Sequence, residues 1–115
     1  MSIEFTNRGK SFCVGWNTAD EICFLMAELG VPDPGNDPWA ADSWAPLGHK
    51  LLKEALEAGR VRQVSTSVDS LGRELSPISW TRIVLAEPDD LASDLLDAEN
   101  KKFVEQLLEF LAPAP

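Results

Sequence analysis

The chain has 115 residues, of which 44% are hydrophobic, and a formal net charge of −9 at pH 7. This length suits one domain with a core of its own, and the hydrophobic content excludes a disordered chain. The sequence contains neither a run of ~18–20 apolar residues that could cross a bilayer nor the apolar part of a secretory signal, so we expect no membrane partner and a cytoplasmic location.

The chain begins with two short stretches in which apolar and polar residues alternate. This pattern predicts strands over about 2–6 and 11–16, joined by a hairpin turn at 7–10. Cys13 falls in the second strand, and Cys23 falls on the apolar face of the segment that follows. Two cysteines are too few for a disulfide framework, so we expect two buried free thiols, with one disulfide between them as the alternative.

A helix follows the hairpin, and both of its ends are marked in the sequence. Thr18 and Glu21 have the spacing of a capping box, and apolar residues continue at helical spacing, which predicts a helix over about 19–29. Gly30 is the residue type that ends helices in a left-handed conformation, and Pro32 prevents the helix from continuing.

The next segment is rich in proline and leads into a second long helix. Residues 31–38 contain three prolines and a glycine, which predicts a loop, and a short helix is expected over 39–42. Pro46 then suits the first turn of a helix whose leucines and alanines repeat at helical spacing up to Gly59.

The second half predicts another hairpin and a final helical region. Strands are expected over about 61–68 and 78–86, with a turn at 69–72. Asp89 or Asp90 is expected to cap a helix that carries Leu91, Leu95 and Leu96, and Asp97 provides a second cap, so one bent helix or two helices both agree with the pattern. The predicted fold is a single α+β domain over 1–115, with the order ββ-α-α-α-ββ-α.

The charges are distributed unevenly along the chain. Residues 11–49 contain six acids and no lysine or arginine, and residues 83–115 contain eight acids against two lysines. Residues 50–82 instead carry six basic residues against four acids. Such segregation creates a directional field that attracts basic surfaces and repels phosphate and anionic lipid.

The proline-rich segment combines acids with large aromatic side chains. Asp33, Asp37 and Asp42 lie in the same stretch as Trp39 and Trp44. Tryptophan is enriched in binding hot spots, and a stiff loop loses little entropy on binding. We therefore expect these five residues to bind a partner; the alternative is that both indoles cover the core.

The predicted final helix adds a second acidic surface. Asp90, Asp94 and Asp97 are spaced at i, i+4 and i+7, so one helix would place them on one face. Like charges at this spacing destabilise a helix by roughly 0.2–0.5 kcal/mol per pair. The face is interpreted either as a partner-binding surface or as a solvated surface that keeps the protein soluble.

No catalytic or metal-binding pattern is present in the sequence. The single histidine, His49, falls on the predicted second helix, and no motif places it with a nucleophile and an orienting group. Cysteine and histidine do not cluster at zinc spacing, and Asp33 to Asp37 does not fit the calcium-loop pattern. We expect no enzyme activity, no cofactor and no metal.

These observations favour an acidic protein that binds and blocks a basic, nucleic-acid-handling protein, in the manner of an immunity protein against a nuclease-like toxin or of a phage inhibitor. The alternative is a winged-helix DNA-binding or transcription accessory protein, because residues 19–86 share that element order. Direct nucleic-acid binding is disfavoured by the flanking acids. In the alternative, phosphate contacts would come from the basic patch at 46–82, namely Lys50, Lys53, Arg60, Arg62 and Arg73, with Gly72 at the tip of the wing.

Overall fold

A computed structural model of the chain describes residues 2–33, 35, 37–66 and 80–113. Within these residues the fold is α+β, as predicted, with two antiparallel hairpins and three α-helices in the order ββ-α-α-ββ-α. The elements are β1 (Ser2–Asn7), β2 (Lys10–Gly15), α1 (Trp16–Leu29), a 3₁₀ turn (Ala41–Ser43), α2 (Ala45–Glu57), β3 (Val61–Thr66), β4 (Trp80–Leu85) and α3 (Ala98–Leu111).

The first hairpin forms where the alternating pattern predicted it. Phe5 on β1 pairs with Phe12 on β2, and the two-residue turn consists of Arg8 and Gly9. Both turn residues have positive φ, 50° for Arg8 and 86° for Gly9, as a type I′ turn requires. This turn matches the twist of the strands and so sets their register.

Helix α1 begins earlier than the capping box predicted. Its first residue is Trp16, and Gly15 caps it in an extended conformation without a side-chain hydrogen bond. Because the helix starts directly from β2, Thr18 and Glu21 fall inside its first turns, and the predicted cap at Thr18 is wrong. The predicted end is confirmed: Gly30 has φ of 101° and donates its N–H to the carbonyl of Ala27.

The proline-rich loop after α1 is attached to the first hairpin. The Thr6 N–H donates to the carbonyl of Trp39 at 2.9 Å, and Thr6 forms a bridge with Ala40. The Arg8 N–H donates to the Asp42 carboxylate. The short helix expected over 39–42 is a 3₁₀ turn over Ala41–Ser43, and Trp44 caps its C-terminal end.

Helix α2 packs closely against α1. Pro46 lies in its first turn, as predicted, and Gly59 follows the helix with φ of 73°. Gly48 is buried, and a Cβ atom placed there would lie 2.9 Å from Sδ of Met26 and 3.4 Å from the Trp44 ring. The absence of a side chain at Gly48 therefore sets how closely these groups approach.

The second hairpin pairs β3 with β4 over Val61–Thr66 and Trp80–Leu85, and the turn predicted at 69–72 lies outside the described residues.

No helix forms over 89–97, so the prediction that Asp89 or Asp90 caps one is wrong. The backbone there makes turns and a bridge to Gln63 instead.

Helix α3 begins where Asp97 accepts a hydrogen bond from the Asn100 N–H at 2.8 Å, which confirms the second of the two predicted caps. Its last carbonyls accept hydrogen bonds from the first hairpin. The Asn7 amide donates to the carbonyl of Phe110 at 2.8 Å, and Nζ of Lys10 donates to those of Glu109 and Ala112, both at 3.0 Å.

The core lies between the first hairpin and the three helices. It is composed of aliphatic and aromatic side chains from every element, and its largest fully buried members are Phe5, Ile22, Leu52, Val104, Leu107 and Leu111. The longest helices among the described residues have 14 residues, and none has the length and apolar character needed to cross a bilayer.

Candidate functional site

A groove of about 420 Å³ lies between α1 and the proline-rich loop, at the segment where sequence analysis placed the partner site. Three of the five predicted residues from 33 to 44 form part of its wall: Asp33, Trp39 and Trp44. The other lining residues are Asp20, Cys23, Phe24, Met26, Ala27, Val31, Pro32, Gly35 and Pro38.

The two indoles of this segment have different roles. Trp44 is only 6% exposed, its Nε1 donates to the carbonyl of Pro38 at 3.2 Å, and its ring lies 6.3 Å from Phe5. The prediction that Trp44 is a surface anchor is therefore wrong, because its ring belongs to the core and forms the groove floor. Trp39 is half-buried and makes edge contacts with Phe5 at 5.1 Å and with Trp16 at 6.4 Å.

The acids predicted in this segment remain at the surface. Asp33, Asp37 and Asp42 are all exposed. Asp33 accepts a hydrogen bond from the Gly35 N–H at 2.9 Å, and Asp42 accepts one from the Arg8 N–H, so both side chains stabilise local backbone as well as carrying charge. The described lining includes Asp20 and Asp33 and no lysine or arginine, so the groove has an apolar wall and a negative border.

Exposed apolar side chains extend this surface. Phe24 on α1 is 43% exposed and lines the groove, and Trp16, which contacts Trp39, is also exposed. Phe24 is one of the apolar residues from which the helix over 19–29 was predicted. Its spacing in the helix did predict an apolar position, but the spacing does not distinguish a core contact from a groove wall.

The two cysteines are both free, as predicted. Cys13 is exposed, so the expectation that it is buried is wrong. Cys23 is half-buried in the groove wall, where burial, and then the negative charge of Asp20, raises the pKa of its thiol to about 11. This environment disfavours the thiolate, and so Cys23 is a poor nucleophile at neutral pH.

The three acids predicted on one helix face do not share such a face, because 89–97 is not helical. Oδ1 of Asp90 accepts a hydrogen bond from the Ala92 N–H at 2.9 Å, and Asp97 caps α3. Asp94 is exposed, and its backbone bridges Gln63. The acidic surface predicted here is therefore an ordered loop.

A second cavity of about 320 Å³ lies beside α1, β4 and α3. Glu21 lines it, and Oε1 of this carboxylate is buried without a hydrogen-bond partner in the described structure. Burial raises the pKa of Glu21 to about 7, against a smaller opposing effect of the Arg82 charge. Sequence analysis treated Glu21 as a helix cap and missed this environment, which depends on the packing of β4.

The alternative basic patch is only partly at the surface. Lys50, Lys53 and Arg60 are exposed, and Arg73 lies outside the described residues, as does Gly72. Arg62 is buried, with its guanidinium group hydrogen-bonded to the protein, so its predicted phosphate contact is wrong.

The described residues contain no group of three or more His, Cys, Asp or Glu side chains placed to hold a metal ion. His49 lies on α2 and is half-buried. The candidate site is the groove, an apolar surface with Asp20 and Asp33 in its lining.

Comparison with known proteins found no matching family model, no matching curated protein and no matching solved structure.

Proposed function

We propose that the chain binds a basic protein through the groove between α1 and the proline-rich loop, and that it blocks this protein by occupying its nucleic-acid-binding surface. The single observation that carries the proposal is an apolar groove wall that also contains two acids, Asp20 and the exposed Asp33. Removal of apolar area from water favours association. The acids select a partner of opposite charge.

The rigidity of the loop supports this function. Hydrogen bonds join it to β1 through Thr6 and Trp39 and to the hairpin turn through Arg8 and Asp42. A loop that is held in place before binding loses little conformational entropy on association. The half-buried Trp39 and the exposed Phe24 offer the large side chains that act as hot spots in protein interfaces.

The acids support inhibition rather than mere attachment. A nucleic-acid-handling enzyme presents a basic surface, and carboxylates that occupy it take the place of phosphates. The segregated charge of the chain would also accelerate encounter with such a surface. The proposed role is thus that of a cytoplasmic immunity protein or phage-type inhibitor.

The test uses a protein captured from lysate of the native cells with the immobilised chain, and then purified. In the groove variant, Asp33, Asp37 and Asp42 are each changed to asparagine, which keeps the side-chain hydrogen-bond acceptors. In the control variant, the exposed Glu54, Glu57 and Glu105 on α2 and α3 are changed to glutamine, which removes the same charge elsewhere.

We expect the groove variant to associate about tenfold more slowly at low salt and with a weaker salt dependence, and the control to change the rate by less than about twofold. Equal effects of the two variants would contradict the proposal. Failure of the captured protein to lose its nucleic-acid-binding activity when the chain is added would contradict the inhibitory role.

A further inference from the structure

The loop between β4 and α3 exposes two leucine side chains. Leu91 is fully exposed, and Leu95 is 76% exposed. Single exposed leucines are ordinary, but these two are four residues apart in one loop that makes no use of them for its own core. Both leucines therefore offer apolar area at the surface of this loop.

The backbone of this loop is held by buried polar groups rather than by its leucines. Arg62 is buried and binds the loop from inside: its Nη1 donates to the carbonyl of Pro88 at 3.2 Å, and its Nη2 donates to the carbonyl of Ser93 at 3.0 Å. The Arg62 Nε donates to the Ser93 hydroxyl at 2.7 Å.

A second attachment fixes the other end of the loop. Gln63 and Asp94 exchange two backbone hydrogen bonds of 3.0 and 2.8 Å, and Oε1 of Gln63 accepts a hydrogen bond from the Asp97 N–H at 2.8 Å. Because hydrogen bonds hold both ends of the loop, the backbone that carries the exposed leucines is fixed. Preorganisation of this kind reduces the entropy lost when a surface is bound.

The charges of the loop define what fits against it. Residues 87–97 contain five acids and no lysine or arginine. Asp90 is half-buried, and the other four acids are exposed, so negative charge flanks the leucines. These four are Glu87, Asp89, Asp94 and Asp97, and Asp97 also caps α3.

We propose that this loop, defined by residues 87–97, is a second protein-binding surface that places Leu91 and Leu95 in an apolar cleft bordered by lysine or arginine. The occupant is a different protein from a second copy of this chain. Each copy of this chain has a net charge of −9, so two copies repel each other, whereas a partner whose cleft is bordered by lysine or arginine attracts the loop. This surface does not include the groove residues, so the inference is independent of the proposed function.

The test compares four forms of the immobilised chain in lysate of the native cells: the native sequence, the double variant Leu91→Ala/Leu95→Ala, a control Leu47→Ala, and the groove variant at Asp33, Asp37 and Asp42. Leu47 is an exposed leucine on α2, so Leu47→Ala removes the same kind of side chain from a different part of the surface. Both loop leucines are exposed, so the double variant is expected to keep the native thermal stability.

We expect at least one protein that is retained by the native chain, the Leu47 control and the groove variant, and lost by the double variant. With this protein purified, the Kd should rise about tenfold or more for each leucine removed, and binding should weaken as salt increases. Changing Glu87, Asp89 and Asp94 to their amides should reduce the salt dependence.

Three results would overturn the inference. The first is that no captured protein distinguishes the double variant from the Leu47 control. The second is a captured protein whose Kd for the double variant equals that for the native chain. The third is a dimer of the native chain in sedimentation equilibrium that the double variant abolishes, because the occupant would then be a second copy.

Discussion

Arg62 and Ser93 form a buried pair that joins β3 to the loop before α3: Nε of Arg62 donates to the Ser93 hydroxyl at 2.7 Å, and Nη2 donates to the Ser93 carbonyl at 3.0 Å. Both residues are more than 90% buried. A buried charge is stable only when its donors are used, and here neutral oxygens of the loop accept them. The pair therefore connects the stability of the fold to the shape of an exposed surface.

Replacing Arg62 with leucine should destabilise the protein. The change leaves the Pro88 and Ser93 carbonyls without the guanidinium donors, and each unsatisfied buried group costs ~1–3 kcal/mol. We expect the free energy of unfolding, measured by urea denaturation, to fall by about 3 kcal/mol. Arg60→Leu is the control, since Arg60 is exposed and its replacement should change this value by less than about 0.5 kcal/mol. Equal effects at the two positions would contradict the structural role of Arg62.

Replacing Gly48 with valine should also destabilise the protein. A Cβ atom at this position lies 2.9 Å from Sδ of Met26 and 3.4 Å from the Trp44 ring, so the larger side chain of valine would displace these two core side chains. Overpacking of this kind costs ~1–3 kcal/mol. The exposed Lys53, on the same helix, provides the control Lys53→Val, which carries the lower helix propensity of valine without the close contact. A Gly48 variant no less stable than the control would show that the helices adjust freely.

Glu21 should make stability depend on pH in a direction unusual for a carboxylate. Its pKa is about 7 in the folded protein, against an ordinary value of 4.5, so the folded state holds the proton more tightly between these pH values. The contribution of this group to stability is present below about pH 4.5 and is lost as pH rises through 7.

Glu21→Gln mimics the neutral acid, and it should raise Tm relative to the native chain at pH 8 and by a smaller amount at pH 5. Glu28→Gln, at an exposed position of the same helix, is the control and should show no such difference between the two pH values. A Glu21 variant whose Tm difference is the same at both pH values would contradict the buried environment of the carboxylate.

The two thiols should differ in their reactivity. Cys13 is exposed, whereas Cys23 is half-buried with a pKa of about 11, which leaves a thiolate fraction of about 1 in 1,000 at pH 8. Iodoacetamide followed by mass spectrometry should therefore modify Cys13 at least ~10-fold faster. Cys13→Ser should remove the fast reaction, and Cys23→Ser should leave it unchanged. Fast modification of the Cys13 variant would show that the groove wall is open at Cys23.

Much of the fold follows from local sequence chemistry. The turn at Arg8 and Gly9, the helix end at Gly30 and the proline at the start of α2 are each determined by residues close in sequence, and these predictions are confirmed. The start of α1, by contrast, does not follow from its local capping-box pattern. Its position depends on β2 running directly into the helix at Gly15, and the capping-box pattern competes with that continuity.

The segment before α3 shows why a local pattern can mislead. Leu91 and Leu95 have helical spacing and an aspartate before them, which favours a helix. Arg62 and Gln63 instead bind the carbonyl and amide groups of this segment from a strand about thirty residues away. Neither the burial of Arg62 nor the exposure of the leucines is visible before the strand and the loop are brought together.

The same argument applies to the candidate site. The three acids of the proline-rich segment are exposed, because the exposure of charged side chains in a loop is a local property. The burial of Trp44 depends on Phe5, which belongs to the first strand, and the groove depends on α1 facing the loop. The sequence therefore predicted the exposed acids of this segment, but not the groove beside it or the burial of Trp44.

The hydrogen bonds from Asn7 and Lys10 to the end of α3 have a consequence for how the chain is made. They join residues about a hundred positions apart, and Phe12 stacks on Phe110 with ring centroids 5.4 Å apart in the same region. During translation the first hairpin leaves the ribosome long before its packing partner exists. The ring of Phe12 lacks its aromatic partners, Phe103 and Phe110, until α3 has emerged, so the growing chain exposes this apolar side chain for almost its entire synthesis.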